Sequence, residues 1–217
     1  MSEFWEEAFR EKQMMWGIDP TEVAVEICEL FKRNGFQKVL IPGFGYGRNA
    51  KVFYDSGFDV TGIEISGIAI DLARNLFGHQ LRVFHGSVGE MPFDDENYDG
   101  IFCYALIHLL DAEERGKLIA DCYRQLSDGG IMVFTAITKA ASTYGAGIQL
   151  SKDRFRTKDG VELFFYDKDS IEEEFGSHGL KESVKIDEPV NGNPGKTTAF
   201  WKIVCQQIDN YRPIAVY

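Results

Sequence analysis

The apolar positions of this chain fall into a repeating order of strand and helix. Val39-Leu40-Ile41 and the run 131–137 are short, apolar and free of charge, as strands covered on both faces must be. After residue 20 the pattern predicts strands at 38–41, 59–65, 81–85, 98–105 and 131–137, with helices between them. Asp19-Pro20-Thr21-Glu22 is expected to open the first clear helix, with Asp19 as cap, Pro20 in the first turn and Glu22 completing a capping box; Asn34-Gly35 stops that helix. Asp111-Ala112-Glu113-Glu114 predicts a second capping box, on a helix that runs to Leu126. Ser127-Asp128-Gly129-Gly130 then turns the chain into the fifth strand. A helix near 169–178 precedes two last strands, about 180–186 and 198–206, joined by a hairpin-like loop, Asn191-Gly192-Asn193-Pro194-Gly195. Five parallel units closed by an antiparallel pair make an α/β fold, its sheet covered on both faces.

Length and composition narrow this picture. At 217 residues the default is one domain with a sizeable core. It divides into an N-terminal helical segment (1–35), a core (36–137), a polar insertion (138–166) and a C-terminal helix and hairpin (167–217). No apolar run is long enough to span a membrane, and the opening Met1-Ser2-Glu3-Phe4-Trp5-Glu6-Glu7 is acidic where a signal peptide is basic, so the expected location is the cytoplasm. Cys28, Cys103, Cys122 and Cys205 are scattered without a C-x-x-C pair, which excludes a zinc ribbon and suits buried small side chains; no metal site is expected. A net charge of −11, with no long Lys/Arg run, argues against nucleic acid or an anionic membrane as partner.

The most informative segment is Val39-Leu40-Ile41-Pro42-Gly43-Phe44-Gly45-Tyr46-Gly47-Arg48. A buried strand enters three alternating glycines and then a helix, which allows tight turns and close approach of a ligand to the backbone. Glu64 ends the next strand about twenty residues on, where a carboxylate accepts both hydroxyls of a ribose. Together they predict a nucleoside-containing cofactor. Arg48 stands where the dinucleotide fingerprint needs glycine, and no G-x-x-x-x-G-K-[ST] loop follows, so a ligand without phosphates fits better than NAD or ATP.

The glycine run, with Phe58-Asp59-Val60-Thr61-Gly62-Ile63-Glu64-Ile65-Ser66, resembles the class I S-adenosylmethionine-dependent methyltransferases, and more narrowly their thiopurine, thiol and tellurite-resistance branch. The resemblance implies a doubly wound, Rossmann-like, mostly parallel seven-stranded sheet with an antiparallel last strand. It implies that the backbone at Gly43, Phe44, Gly45, Gly47 and Arg48 faces the methionine part of S-adenosylmethionine, and that Glu64, beside Ile65, holds the ribose. Ser87 and Val88, in Gly86-Ser87-Val88-Gly89, are expected to frame the adenine, although many members carry Asp where Ser87 stands. Tyr104 and Ala105, at the end of the fourth strand, complete the cofactor set with Trp16.

Chemistry on the acceptor side is less sharply encoded. His108 is the one histidine at a motif position, either a packing residue or a proton acceptor toward substrate. Trp5 and Phe9 share a helix face and are expected either to pack on the sheet or, as the resemblance suggests, to form a lid that meets the acceptor and excludes water. Tyr144 and Arg154, in the insertion, are further candidates for acceptor contact. The expected product is a methylated small molecule, a thiol, thiopurine or metalloid oxyanion, with S-adenosylhomocysteine released. A non-catalytic S-adenosylmethionine-binding protein, or more remotely an NAD-dependent oxidoreductase, remains open at this point.

Overall fold

The computed structural model describes residues 2–78, 81–189 and 197–207; the loop 191–195 lies outside them. Helix α1 (Ser2–Lys12) leads into α2 (Glu22–Arg33), and then come β1 (Lys38–Pro42), α3 (Ala50–Asp55), β2 (Asp59–Glu64), α4 (Gly67–Phe77), β3 (Arg82–His85), β4 (Tyr98–Cys103) and α5 (Ala112–Arg124). After β5 (Leu126–Ile137) come three short strands, β6 (Ile148–Ser151), β7 (Arg154–Arg156) and β8 (Glu162–Phe164), then α6 (Lys168–Phe175), β9 (Leu180–Pro189) and β10 (Thr197–Gln206).

The main sheet has seven strands in the order β3-β2-β1-β4-β5-β10-β9. Only β10 runs antiparallel to its neighbours, and the other described pairings are parallel. This is the doubly wound, Rossmann-like arrangement with an antiparallel last strand. Strand β1 is flanked by β2 on one side and β4 on the other, so the strand order reverses there and opens a crevice at the strands' C-terminal ends.

Each sheet face carries its own core. Ile27, Phe31, Phe53 and Phe102 lie on the face covered by α2 and α3. Ile101, Leu118, Phe134 and Phe175 lie on the face covered by α5 and α6. Burying each such large side chain contributes roughly 1.5–3 kcal/mol. The four cysteines are unpaired and buried in these cores.

Local signals were read correctly where the partner was nearby and wrongly where it was distant. The Asp111 box forms, with Asp111 accepting from Glu114 N at 2.9 Å and Glu114 accepting from Asp111 N at 3.0 Å. At α2 the cap is Thr21, not Asp19: the Thr21 side chain accepts from Ala24 N, while Asn49 accepts from Thr21 N. Ser127–Gly130 is no separate turn but a bulged entry into β5, where Gly129 has φ +76°. The insertion 138–166 is no loose excursion either. It forms a three-stranded sheet β6-β7-β8 and buries Phe155 and Phe165 against Ile137 and Ala141.

Candidate active site

Three elements converge on the crevice. The loop after β1 is bent by glycines with positive φ at 43, 45 and 47. Gly43 N and Phe44 N both donate to Ile63 O, at 2.9 and 3.0 Å, which ties the loop to β2. Glu64 closes the arrangement. Its Oε2 accepts from Gly45 N at 2.7 Å and its Oε1 from Ser66 N at 2.9 Å. Burial raises the carboxyl's pKa, and these backbone donors pull it back. Each oxygen keeps a second acceptor site, so a carboxylate anchored from the protein side can still take the two hydroxyls of a ribose. Beyond it, Ser87 and Val88 begin a short 3₁₀ turn in which Ser87 Oγ accepts from Gly89 N at 3.1 Å.

The glycines are not equivalent. A Cβ on Gly47 would lie 2.5 Å from the Phe77 ring and 2.9 Å from Phe44, and one on Gly62 only 2.3 Å from Phe44. The Phe44 ring therefore packs against β2 at Gly62, which is small enough to admit it. Gly47, expected to face a ligand, is a packing residue that does not line the crevice.

The crevice is a cavity of about 530 Å³. It is lined on one side by Gly43, Phe44, Gly45, Arg48, Glu64, Ile65, Ser87 and Val88, and on the other by Tyr104, Ala105, His108, Glu188 and Phe200. Trp5, Phe9 and Trp16 lie over it. Helix α1 is fixed there by Glu6, whose carboxylate accepts from Ser66 Oγ at 2.7 Å and from Gly67 N and Ile68 N at 3.1 and 3.2 Å. A side chain from another helix thus satisfies the open N-terminus of α4. Tyr46 OH accepts from Trp16 N and donates to Gly17 O, at 3.0 and 2.7 Å, with the two rings stacked 12° from parallel.

Comparison with known proteins agrees with this geometry. Residues 40–134 match the family model of the methyltransferase domain. This match and the fold support a methyltransferase that depends on S-adenosylmethionine. A sarcosine/dimethylglycine N-methyltransferase of Aphanothece halophytica is 36% identical over 116 residues, covering 50% of this chain and 41% of the relative. A tRNA N(3)-cytidine methyltransferase of Danio rerio is 24% identical over 184 residues, 78% of this chain and 52% of the relative. The chain thus spans about half the length of these curated relatives. The 1,6-didemethyltoxoflavin-N1-methyltransferase of Burkholderia thailandensis, solved with S-adenosylhomocysteine, superposes at a TM-score of 0.71 with 15% identity, covering 96% of this chain and 87% of that one.

Around the crevice's second wall, expectation and structure diverge. His108 lines the cavity but is a poor proton acceptor: burial without a carboxylate partner pushes its pKa down to about 3, and its Nδ1 takes the Ile137 N–H at 3.4 Å. Its ring is a neutral wall set edge-on to Phe200. Tyr144 and Arg154 do not line the cavity. Tyr144 OH donates to Asp153, and its ring packs on Phe155 and Phe165. The Arg154 guanidinium bonds to Glu162 and to Leu110 O, and Arg115 donates to Leu110 O as well, at 3.2 Å. Two cations therefore pin the loop after β4 from outside the site.

Ala105 takes the strained φ of +52°, held by its N–H donating to Thr135 Oγ1 at 2.9 Å. Nothing local in the sequence announces that strain. Glu188 was missed altogether, because a single glutamate in a late strand carries no motif.

Proposed function

We propose that this chain transfers the methyl group of S-adenosylmethionine to a small-molecule acceptor enclosed between α1 and the ends of β4 and β10. The observation that carries the reading is Glu64: a carboxylate only 6% exposed, lining the crevice at the strand switch point and held in place by the backbone of the glycine loop. That anchored acceptor suits a ribose diol, and the adjacent Ser87 and Val88 offer a slot for a purine. Tyr104 and Ala105, with the loop from Gly43 to Gly45, would hold the methionine part.

When bound, S-adenosylmethionine supplies a methyl group on a cationic sulfur, a donor that needs no acid catalyst. The protein's contribution is then alignment and exclusion of water. Trp5, Phe9 and Trp16 roof the cavity, and the strained Ala105 backbone fixes the floor. A crevice of about 530 Å³ that must also hold the cofactor leaves room for a small acceptor. Among the acceptors the branch resemblance suggests, thiols and thiopurines suit the aromatic roof. A metalloid oxyanion suits it poorly: Glu64, Glu114 and Glu188 all line the cavity, and the Arg48 guanidinium already donates to Asp19 O at 2.6 Å. Two of the similar proteins, the sarcosine/dimethylglycine and the 1,6-didemethyltoxoflavin-N1 methyltransferases, are named for small acceptors, while the tRNA N(3)-cytidine methyltransferase is named for a nucleic acid.

Calorimetric titration with S-adenosylmethionine, S-adenosylhomocysteine and NAD, followed by assay of S-adenosylhomocysteine release with candidate acceptors, tests the reading. Binding of the methyl donor and turnover with a small acceptor are expected. Preferential NAD binding would overturn it, and donor binding without release for any acceptor would leave a binding protein.

A further inference from the structure

Glu188 is a buried carboxylate that the cofactor region does not use. It stands on β9, at the opposite edge of the sheet from β3, is 5% exposed and lines the crevice. Its Oε2 accepts from Tyr104 OH at 2.9 Å. Among the described residues it has no other hydrogen-bond partner and no ion pair. An ionised carboxylate removed from water without a cation is costly, and burial raises its pKa against the opposing pull of Tyr104 and Arg48. The walls beside it are aromatic: Tyr104 and Phe200 stack 7° from parallel with ring centres 6.4 Å apart. Ring faces next to a carboxylate attract a cation on two counts, quadrupole and charge.

We propose that Glu188 selects the methyl acceptor, and that the acceptor presents an amine nitrogen to it against the Tyr104 and Phe200 rings. This rests on the methyl-transfer reading above. The strand order places Glu188 away from the ribose site, since Glu64 ends β2 while β9 lies beyond β4, β5 and β10. Thr198, which pairs with Glu188 across β10 and β9, also lines the cavity and adds a neutral hydroxyl beside the carboxylate.

The test uses the protein loaded with S-adenosylhomocysteine and two probes of equal shape, benzylamine and benzyl alcohol, titrated by NMR. The wild type is expected to bind benzylamine at least fivefold more tightly. Glu188→Gln, which keeps the shape and still accepts from Tyr104, is expected to shrink that preference below twofold while affinity for S-adenosylhomocysteine stays within twofold. Tyr104→Phe, which keeps the stacked ring, is expected to retain the preference. Equal binding of the two probes by the wild type overturns the proposal. So does a tenfold loss of S-adenosylhomocysteine affinity in Glu188→Gln, which would assign Glu188 to the cofactor's own ammonium group. Loss of the preference in Tyr104→Phe but not in Glu188→Gln would assign recognition to the phenol and overturn it too. Failure of the wild type to bind S-adenosylhomocysteine at all would sink the methyl-transfer reading itself, and this inference with it.

Discussion

The two halves of the crevice are built by different means. The half proposed to take the nucleoside comes from a continuous stretch, β1 to the turn after β3, and its key contacts are backbone hydrogen bonds: Ile63 O to the glycine loop, and Gly45 N and Ser66 N to Glu64. The acceptor half is assembled from side chains of α1, the loop after β4, β9 and β10, segments far apart in sequence. A backbone-built site tolerates little change and looks alike wherever it occurs. A side-chain-built site can be rewritten one residue at a time, which is how one fold comes to serve many acceptors.

The sharpest way to break this comparison is Glu64→Ala. It removes the ribose acceptor and also leaves Gly45 N and Ser66 N without their carboxylate, so affinity for S-adenosylhomocysteine should fall by about 1–3 kcal/mol, read by calorimetry. An unchanged dissociation constant would mean that the ribose sits elsewhere. Next comes Gly47→Ala. With φ +84° and a ring 2.5 Å from the added carbon, it should lower stability by roughly 1–3 kcal/mol in denaturant unfolding. Gly47 lies outside the cavity lining, so the protein that remains folded should bind cofactor almost as before; selective loss of binding with unchanged stability would return Gly47 to the ligand-facing set.

The smallest expected effect concerns the roof. Hydrogen bonding from Ser66, with help from the Gly67 and Ile68 N–H groups, lowers the Glu6 pKa below its usual value. A carboxylate with a lowered folded pKa stabilises the docked helix above its unfolded value and loses that contribution as pH falls through the folded one. The tryptophan fluorescence of the wild type should therefore report loosening of α1 on acidification below about pH 4.5. Glu6→Gln should already be looser at pH 7, by about 0.5–1 kcal/mol, and should lack that acid step. An identical acid step in the variant would show that another group controls the roof.

How much of this was legible beforehand follows the same division. The strands of the main sheet and the pairing of glycine loop with Glu64 were readable because each depends on a local pattern: apolar runs, turn glycines, and an acid at the end of the next strand; the strand order came only with the structure. The α2 cap was misread because Asn49, from beyond β1, fixes the backbone at Thr21 and leaves Asp19 to serve Arg48 through its carbonyl. The insertion was read as polar excursion because its core, Phe155 and Phe165, forms only when β7 and β8 fold back onto Ile137. Arg154 was a plausible acceptor contact until Glu162, on the adjacent strand β8 and in register with Arg156, took the charge.

The sequence alone determined the fold class, the glycine loop and the acid that anchors it, because hydrophobic period and turn chemistry act over a few residues. Tertiary structure decided which glycine faces ligand and which admits a ring. It also decided that His108 is buried edge-on to Phe200 with its Nδ1 taking the Ile137 N–H, and that a glutamate on β9 reaches a tyrosine at the end of β4. Those outcomes depend on distance and burial between segments that meet only when the sheet is assembled.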